Sequence, residues 1–483
     1  MKIAALPDSR PKSREPSMKK VPRILSSEIQ TLDWSHHNSK SLRIDEQTQK
    51  DLEIFKSECS GKSLYDLCNF TRTAGGATIL KQRMKSPFSD ASAIRATQES
   101  IAFILNHRSV FKILPSYHTR NVEQYQRDIL MLVTQVGALE FTIGAIALRL
   151  DHERHYRNIV RGVQLTCGLI RALRAYVKQK ELSSVSGELA AIYQEMKQLL
   201  LLPKLQKIPD KEIEGGWFWN ILRFDQIFRL HEKDAILRLM QLTYETDALV
   251  SMSDATSNYG YTLPKIVEGP ACIQAKGLTH PHIENAIPNN VNLDQEHRLL
   301  FLTGPNMAGK TTYLRATATA LYFGHLGMGV PANHFEFAPV DSLFSSISLA
   351  DDLHTGVSYF RAEVLRIKAI ASAIAKGLRV VAIMDEPFKG TNVKDAFDAS
   401  LSVLNRLESK HDCLFMFSSH LIELEERFEL PTKIRRCHFE AQESEGLLQF
   451  DYQIHPGVSR QRLGMRVLAE EGVFELLDQE IIG

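Results

Sequence analysis

The chain has 483 residues, 44% hydrophobic and 24% charged, an ordinary globular composition that predicts about two to four domains and at least one large buried core. Its formal net charge of +1 excludes a general electrostatic pull toward nucleic acid or membrane, so any DNA contact has to use a local basic patch. The six cysteines, Cys59, Cys68, Cys167, Cys272, Cys413 and Cys437, form no C-x-x-C pair, which argues against a disulfide framework or a zinc site and for a reducing, cytoplasmic setting.

Residues 1–40 predict a flexible basic tail. Pro7, Pro11, Pro16 and Pro22 interrupt it, and residues 1–24 carry seven Lys/Arg against two acids. A solvated arm is the plain reading and a DNA-touching arm the sharper one. The first ten residues lack a secretory apolar run. Residues 41–263 predict an all-helical domain, with apolar residues at three- and four-residue spacing, as at Ile101, Ile104 and Leu105 or Ile236, Leu239 and Met240. Long helices are expected near 125–200. The most apolar stretch, 136–150, contains Glu140 and is too short to span a membrane, so it predicts a buried helix. His152 and His155 do not complete H-E-x-x-H and read as surface residues, and residues 215–219 read as a turn with packed aromatics.

Beyond Gly260 the texture changes. The short apolar runs 299–303, 380–384 and 413–418 predict strands buried on both faces. Between them a helix is expected over 359–376, its buried face lined by Phe360, Val364, Ile367, Ala371 and Ile374. This alternation predicts an α/β domain with a parallel sheet over residues 264–483.

The segment Gly304-Pro305-Asn306-Met307-Ala308-Gly309-Lys310-Thr311-Thr312 fits G-x-x-x-x-G-K-[ST] between an expected strand and an expected helix. In such a loop the glycines let backbone N–H groups curl around phosphate oxygens and the helix N-terminus favours the negative charge. Lys310 is expected to reach the β- and γ-phosphates, and the Thr311 hydroxyl to ligate Mg²⁺, so the segment predicts ATP binding and hydrolysis. Asp385 ends an apolar strand, where its carboxylate is expected to hold Mg²⁺; Glu386 follows it and is expected to polarise the attacking water. His420 follows the next strand and is placed to sense the γ-phosphate.

These residues resemble the MutS family of DNA mismatch-repair ATPases. The stretch TGPNMAGKTTYLR resembles the family's extended phosphate loop, and SLADDLHTGVSYFRAEV, with Asp351, Asp352, Gly356, Ser358 and Phe360, its signature segment. His280-Pro281 leading to Asn292-Leu293 is similar to the nucleotide-side segment, Asp385-Glu386 with Gly390-Thr391-Asn392 to the acidic strand end, Ser418-Ser419-His420 to the switch histidine, and Gly457, Ser459, Leu463 and Gly464 to the closing segment. Ser63 to Leu67, Thr73 to Gly76, Leu80, Arg83 and Met84 resemble the start of the core lever domain.

The resemblance implies an ABC-type P-loop NTPase domain preceded by an all-α lever domain, using ATP and Mg²⁺. It implies a homodimer with two composite sites, each completed in trans by Gly356 and Ser358, that engages DNA and other repair proteins but no membrane. The sequence departs from the family in leaving no room for the N-terminal mismatch-reading and connector domains, and little for the DNA clamp insertion or a C-terminal dimerisation tail. Ala308 and Thr311 replace a Gly and a Ser, and Pro387-Phe388-Lys389 replaces Leu-Gly-Arg. Ala286 stands where an adenine-stacking aromatic is expected, which passes that task to another residue. Two rival functions remain open: an ATPase acting on recombination junctions or other DNA structures, and an ATP-switched protein scaffold without DNA.

Overall fold

The computed structural model describes residues 19–20, 40–57, 61–116, 119–128, 130–134, 137–210, 218–348, 359–428, 433–444, 447–459, 461, 468–469 and 472–477. Of the expected tail it describes Lys19–Lys20 (β1), which pairs antiparallel with Met131–Leu132 (β3), and residue 40; the rest of that segment lies outside the described residues.

Helices dominate from residue 46 to residue 258. Their starts follow from local capping. Ser63 and Asp66 form a reciprocal capping box at Leu64–Cys68, and the Thr73 and Asp90 side chains each accept a bond from an N–H of the first turn of Ala74–Lys85 and Ala91–Asn106. The helix Lys233–Asn258 runs through the middle, packed by Ala74–Lys85, Ala91–Asn106 and Glu188–Leu200. Ile236 and every residue from Leu239 to Ser253 are buried, including Thr243, Glu245, Asp247 and Ser251. The long helix expected near 125–200 is Glu153–Val177.

The expectation for 136–150 is corrected in part. The helix Ala138–Asp151 forms, and it buries Phe141, Ala145 and Leu148. Yet Leu139, Ile143, Ile146 and Leu150 are exposed, because apolar residues surround this helix whereas neighbouring helices pack against one side of it. No helix among the described residues is long and apolar enough to cross a membrane.

The large sheet has seven strands in the order β15-β12-β7-β11-β10-β9-β2, namely His455–Pro456, Ile434–His438, Leu299–Thr303, Leu414–Ser418, Val380–Asp385, Ser342–Ser346 and Arg43–Ile44. All neighbours are parallel except β12 and β15. Side chains alternate between two cores, as a pleated strand requires. Leu300, Leu302, Val381, Ile383, Leu414 and Met416 face the core continuous with the helical region. Leu299, Phe301, Val380, Ala382, Met384, Phe415 and Phe417 face a second core beneath the outer helices. A smaller four-stranded sheet, in the order Lys265–Ile266 (β4), His334–Phe337 (β8), Ile273–Leu278 (β5) and Asn289–Leu293 (β6), packs beside the helix Lys310–His325. A hairpin of Ala441–Ser444 (β13) and Leu447–Phe450 (β14) completes the strands.

Two features depart from the sequence reading. The segment that opens the expected helical domain belongs instead to the sheet: β2 pairs with β9, and the buried Asp51 carboxylate accepts bonds from Ser345 Oγ and the Ile347 and Ser348 N–H groups. The helix Tyr359–Ala375 buries the predicted face only in part, with Phe360, Ile367 and Ile374 half-buried. Val364 and Ala371 are exposed, and the buried positions are Glu363, Arg366, Ile370 and Ala373. Apolar periodicity misses this face because two of its four residues are charged. They are buried because they bond loop backbone and neighbouring side chains: Arg366 reaches Asp45, Thr48 and the Ser345 carbonyl.

Candidate functional site

Parallel strands present all their carboxyl ends along one sheet edge, which is where ligands bind in such folds. The order β7-β11-β10 therefore brings three loops together. Bonds beyond the strands fix their bases: Ser419 N–H donates to the Leu302 carbonyl, Glu386 N–H to the Ser418 carbonyl, and Phe439 N–H to the Thr303 carbonyl, each at 3.0 Å.

The loop after β7 carries Gly304 at φ +137° and Gly309 at φ +104°, conformations that L side chains rarely adopt. A Cβ at Gly304 would lie 2.5 Å from the Phe439 carbonyl oxygen. Between them Met307 is exposed and also has positive φ, whereas Pro305 and Ala308 are buried and Asn306 is exposed. Gly309 caps the helix Lys310–His325. Lys310 is buried, and its Nζ donates to the loop's own carbonyls, Gly304 at 2.7 Å and Pro305 at 2.9 Å. Burial holds the Lys310 pKa below its ordinary value, against the opposing pull of Glu386 and Asp385. The Lys310 ammonium lies 3.9 Å from Glu386 Oε1.

Thr311 Oγ1 donates to Asp385 Oδ2 at 2.6 Å, across 74 residues of sequence. Asp385 Oδ1 is buried with no hydrogen-bond partner among the described residues. An orphaned carboxylate oxygen beside a threonine hydroxyl is an all-oxygen donor set that suits Mg²⁺. Glu386 accepts from His420 Nε2 at 2.5 Å and from Lys389 Nζ at 2.8 Å. Burial raises the Glu386 pKa, but the His420 and Lys389 bonds outweigh it and bring it down to about 2. Thr312 lines the cavity described below. Gly356 and Ser358 lie outside the described residues.

The sequence reading missed Glu363. Its buried carboxylate accepts the Lys389 N–H at 2.9 Å and the Gly390 N–H at 3.2 Å, so it holds the loop that carries Lys389 to Glu386. Burial raises its pKa despite these bonds.

Beside the loop lies a cavity of about 450 Å³. Its walls include His280, Ile283, Ala286 and Ile287 on one side and Phe439 and Tyr452 on the other. Ala286 reaches the cavity but offers only a methyl group. The aromatic surface comes instead from Tyr452, half-exposed at φ +54°, and from buried Phe439, packed edge-on to Tyr313. The Asn289 side chain pins Tyr452's loop by donating to the Tyr452 carbonyl and accepting from the Ile454 N–H. Burial depresses the His280 pKa to about 4, so this wall carries a neutral imidazole.

Residues 300–477 match the family model of MutS domain V. This match supports membership of the MutS family. Domain V is the ATPase domain of MutS proteins, which are ATP-binding, DNA-binding mismatch-repair proteins. The match spans the loop from Gly304, Asp385-Glu386, His420, Phe439 and Tyr452, so the matched segment supplies the loop, Phe439 and Tyr452 of the cavity lining. The opposite wall, from His280 to Ile287, precedes the matched segment.

Proposed function

We propose that the chain binds and hydrolyses ATP at a dimeric composite site and uses that cycle to control its hold on DNA. The convergence of Lys310, Thr311, Asp385, Glu386 and His420 on one sheet edge carries this reading. In this reading the loop of residues 304–312 cradles the phosphates with its N–H groups, and Lys310 exchanges its two loop carbonyls for β- and γ-phosphate oxygens. Thr311 and Asp385 hold Mg²⁺, which when bound neutralises charge on the phosphate oxygens. Glu386, kept ionised, accepts a hydrogen bond from the attacking water and orients it. A carboxylate with so low a pKa is a weak base, so positioning is its main contribution. His420 and Lys389 hold Glu386 in place, and Glu363 holds Lys389's loop. Tyr452 and Phe439 take the adenine, the task that Ala286 does not perform. Gly356 and Ser358 of a second copy cap the γ-phosphate, so ATP favours the closed dimer and hydrolysis releases it.

The helix Glu153–Val177 carries exposed Arg154, Arg157 and Arg161, a local basic patch on a chain of near-zero net charge. We assign the DNA contact to this patch. Affinity for homoduplex, mismatched duplex and four-way junction DNA, measured with and without ATP across a salt series, tests the reading. Binding that weakens steeply with salt is expected, and replacing the three arginines by alanine lowers the slope of log affinity against log salt by about 2–3. Preference for junctions over mismatches selects a recombination role, and no binding to any of the three leaves the protein-scaffold reading.

A further inference from the structure

The strand and loop that bring Phe439 and Tyr452 to the cavity carry a group of side chains that the ATPase chemistry does not use. His438 on β12 lies directly opposite His455 on β15, and their ring centroids are 5.7 Å apart. Glu440 follows two residues after His438, and Asp451 precedes His455 by four. One donor atom from each of Glu440, Asp451 and His455 lies within 4.8 Å of the other two. His455 Nε2 is 2.7 Å from Asp451 Oδ2, and His438 Nε2 is 3.7 Å from Glu440 Oε2. His438 Nδ1 is buried and has no hydrogen-bond partner among the described residues.

We propose that Glu440, Asp451 and His455 form a three-ligand binding site for a divalent transition-metal ion of the zinc class, with the His438 ring beside it. Such ions take imidazole nitrogen and carboxylate oxygen at about 2.0–2.2 Å in a tetrahedral arrangement. Ligand atoms at that radius stand roughly 3.3–3.6 Å from one another, so small side-chain rotations close the observed spread. The His455 imidazole favours such an ion over Mg²⁺ and Ca²⁺, which take oxygen ligands. A dication among these atoms is held by the two carboxylates and the His455 imidazole together.

Binding ties the 451–455 loop to β12 and so fixes Tyr452 at the cavity mouth. That consequence rests on the nucleotide reading above; metal binding itself does not. The test therefore uses the full chain, stripped of metal by a chelator and free of nucleotide, titrated with Co²⁺. One Co²⁺ per chain with a visible d–d band, displaced by Zn²⁺ but not by Mg²⁺, is expected, and Zn²⁺ is expected to slow amide exchange across residues 451–455. His455→Ala and Glu440→Gln each weaken Co²⁺ binding by more than about tenfold. Asp451→Asn, which keeps the loop's size, gives the same loss if either of those variants fails to fold. Asp385→Asn leaves the band unchanged. A titration without a saturable band, binding unaltered in all three ligand variants, or exchange protection lying elsewhere overturns the proposal. Because no nucleotide is present, failure here leaves the ATPase reading intact, and loss of ATP turnover leaves the metal site intact.

Discussion

The large sheet and the helical region place their organising polar groups in opposite ways. In the sheet, Lys310, Asp385, Glu386 and His420 each sit at or within two residues of a strand or helix end, and parallel topology alone carries those ends to one edge. In the helical region the organising polar groups sit within helices and find partners far along the chain. Asp247 accepts the Arg72 and Thr73 N–H groups and the Thr73 hydroxyl, the last at 2.7 Å across 174 residues. Asp225 accepts Tyr125 Oη across 100 residues and pairs with fully buried Arg229, whose Nη groups also donate to the Leu130 and Met131 carbonyls. In the first region a short motif carries its own geometry. In the second, a polar residue is meaningful only once the distant partner is known.

That contrast is tested most strongly at Glu386. Glu386→Gln is expected to bind ATP but to hydrolyse it about 100-fold more slowly or worse, with the unfolding midpoint little changed. Turnover at the wild-type rate would remove Glu386 from the water-orienting role and weaken the view that the sheet edge is built for chemistry.

Asp247→Ala is the counterpart among the helices. It strands three donors at the start of Ala74–Lys85 and should cost about 3 kcal/mol of stability, read by denaturant unfolding, with ATP turnover per folded molecule preserved. A neutral substitution would mean that helix packing alone sets this region.

The joint between the two regions supplies a pH test. His325, fully buried, donates from Nδ1 to the Phe88 carbonyl at 2.6 Å, and the Phe88 N–H donates back to the His325 carbonyl. Burial depresses its pKa to about 4 from an ordinary value of 6.5. The folded chain keeps this imidazole neutral while the unfolded chain protonates it below about pH 6.5. The unfolded state then binds more protons, so stability is full above that pH and falls as pH drops toward 4, by on the order of 2–3 kcal/mol. His325→Gln should flatten that part of the unfolding-against-pH curve; an unchanged slope would show that the titration lies elsewhere.

The smallest expected effect is at Glu363. Glu363→Gln weakens its hold on the 389–390 backbone and should lower the ATP turnover rate about tenfold with little change in KM, since it acts through the loop that carries Lys389. Equal loss of nucleotide affinity would make its role merely structural.

Much of the sheet was legible because its signals are local. The apolar runs 299–303 and 380–384 fall within observed strands, and glycine spacing marks the loop between β7 and its helix. Glu363 and Arg366 were invisible to the same method, since a charged residue on a helix face reads as solvated until the backbone it bonds is known. The exposed stripe Leu139, Ile143, Ile146 and Leu150 failed for the converse reason: apolar character does not say which neighbours pack against it.

The sequence by itself determined the β7 strand, the strained glycines that follow it, the lysine and threonine at the next helix start, and the acidic pair ending β10, because each depends on interactions within a few residues. Only the tertiary structure decided that Tyr452 and Phe439 supply the cavity's aromatic surface where Ala286 offers only a methyl group, that Glu363 braces the loop after β10, that residues 43–44 extend the sheet, and that Glu440, Asp451 and His455 converge. Each of those pairings is set by strand order and by which surfaces pack, and neither is written in the spacing of residues along the chain.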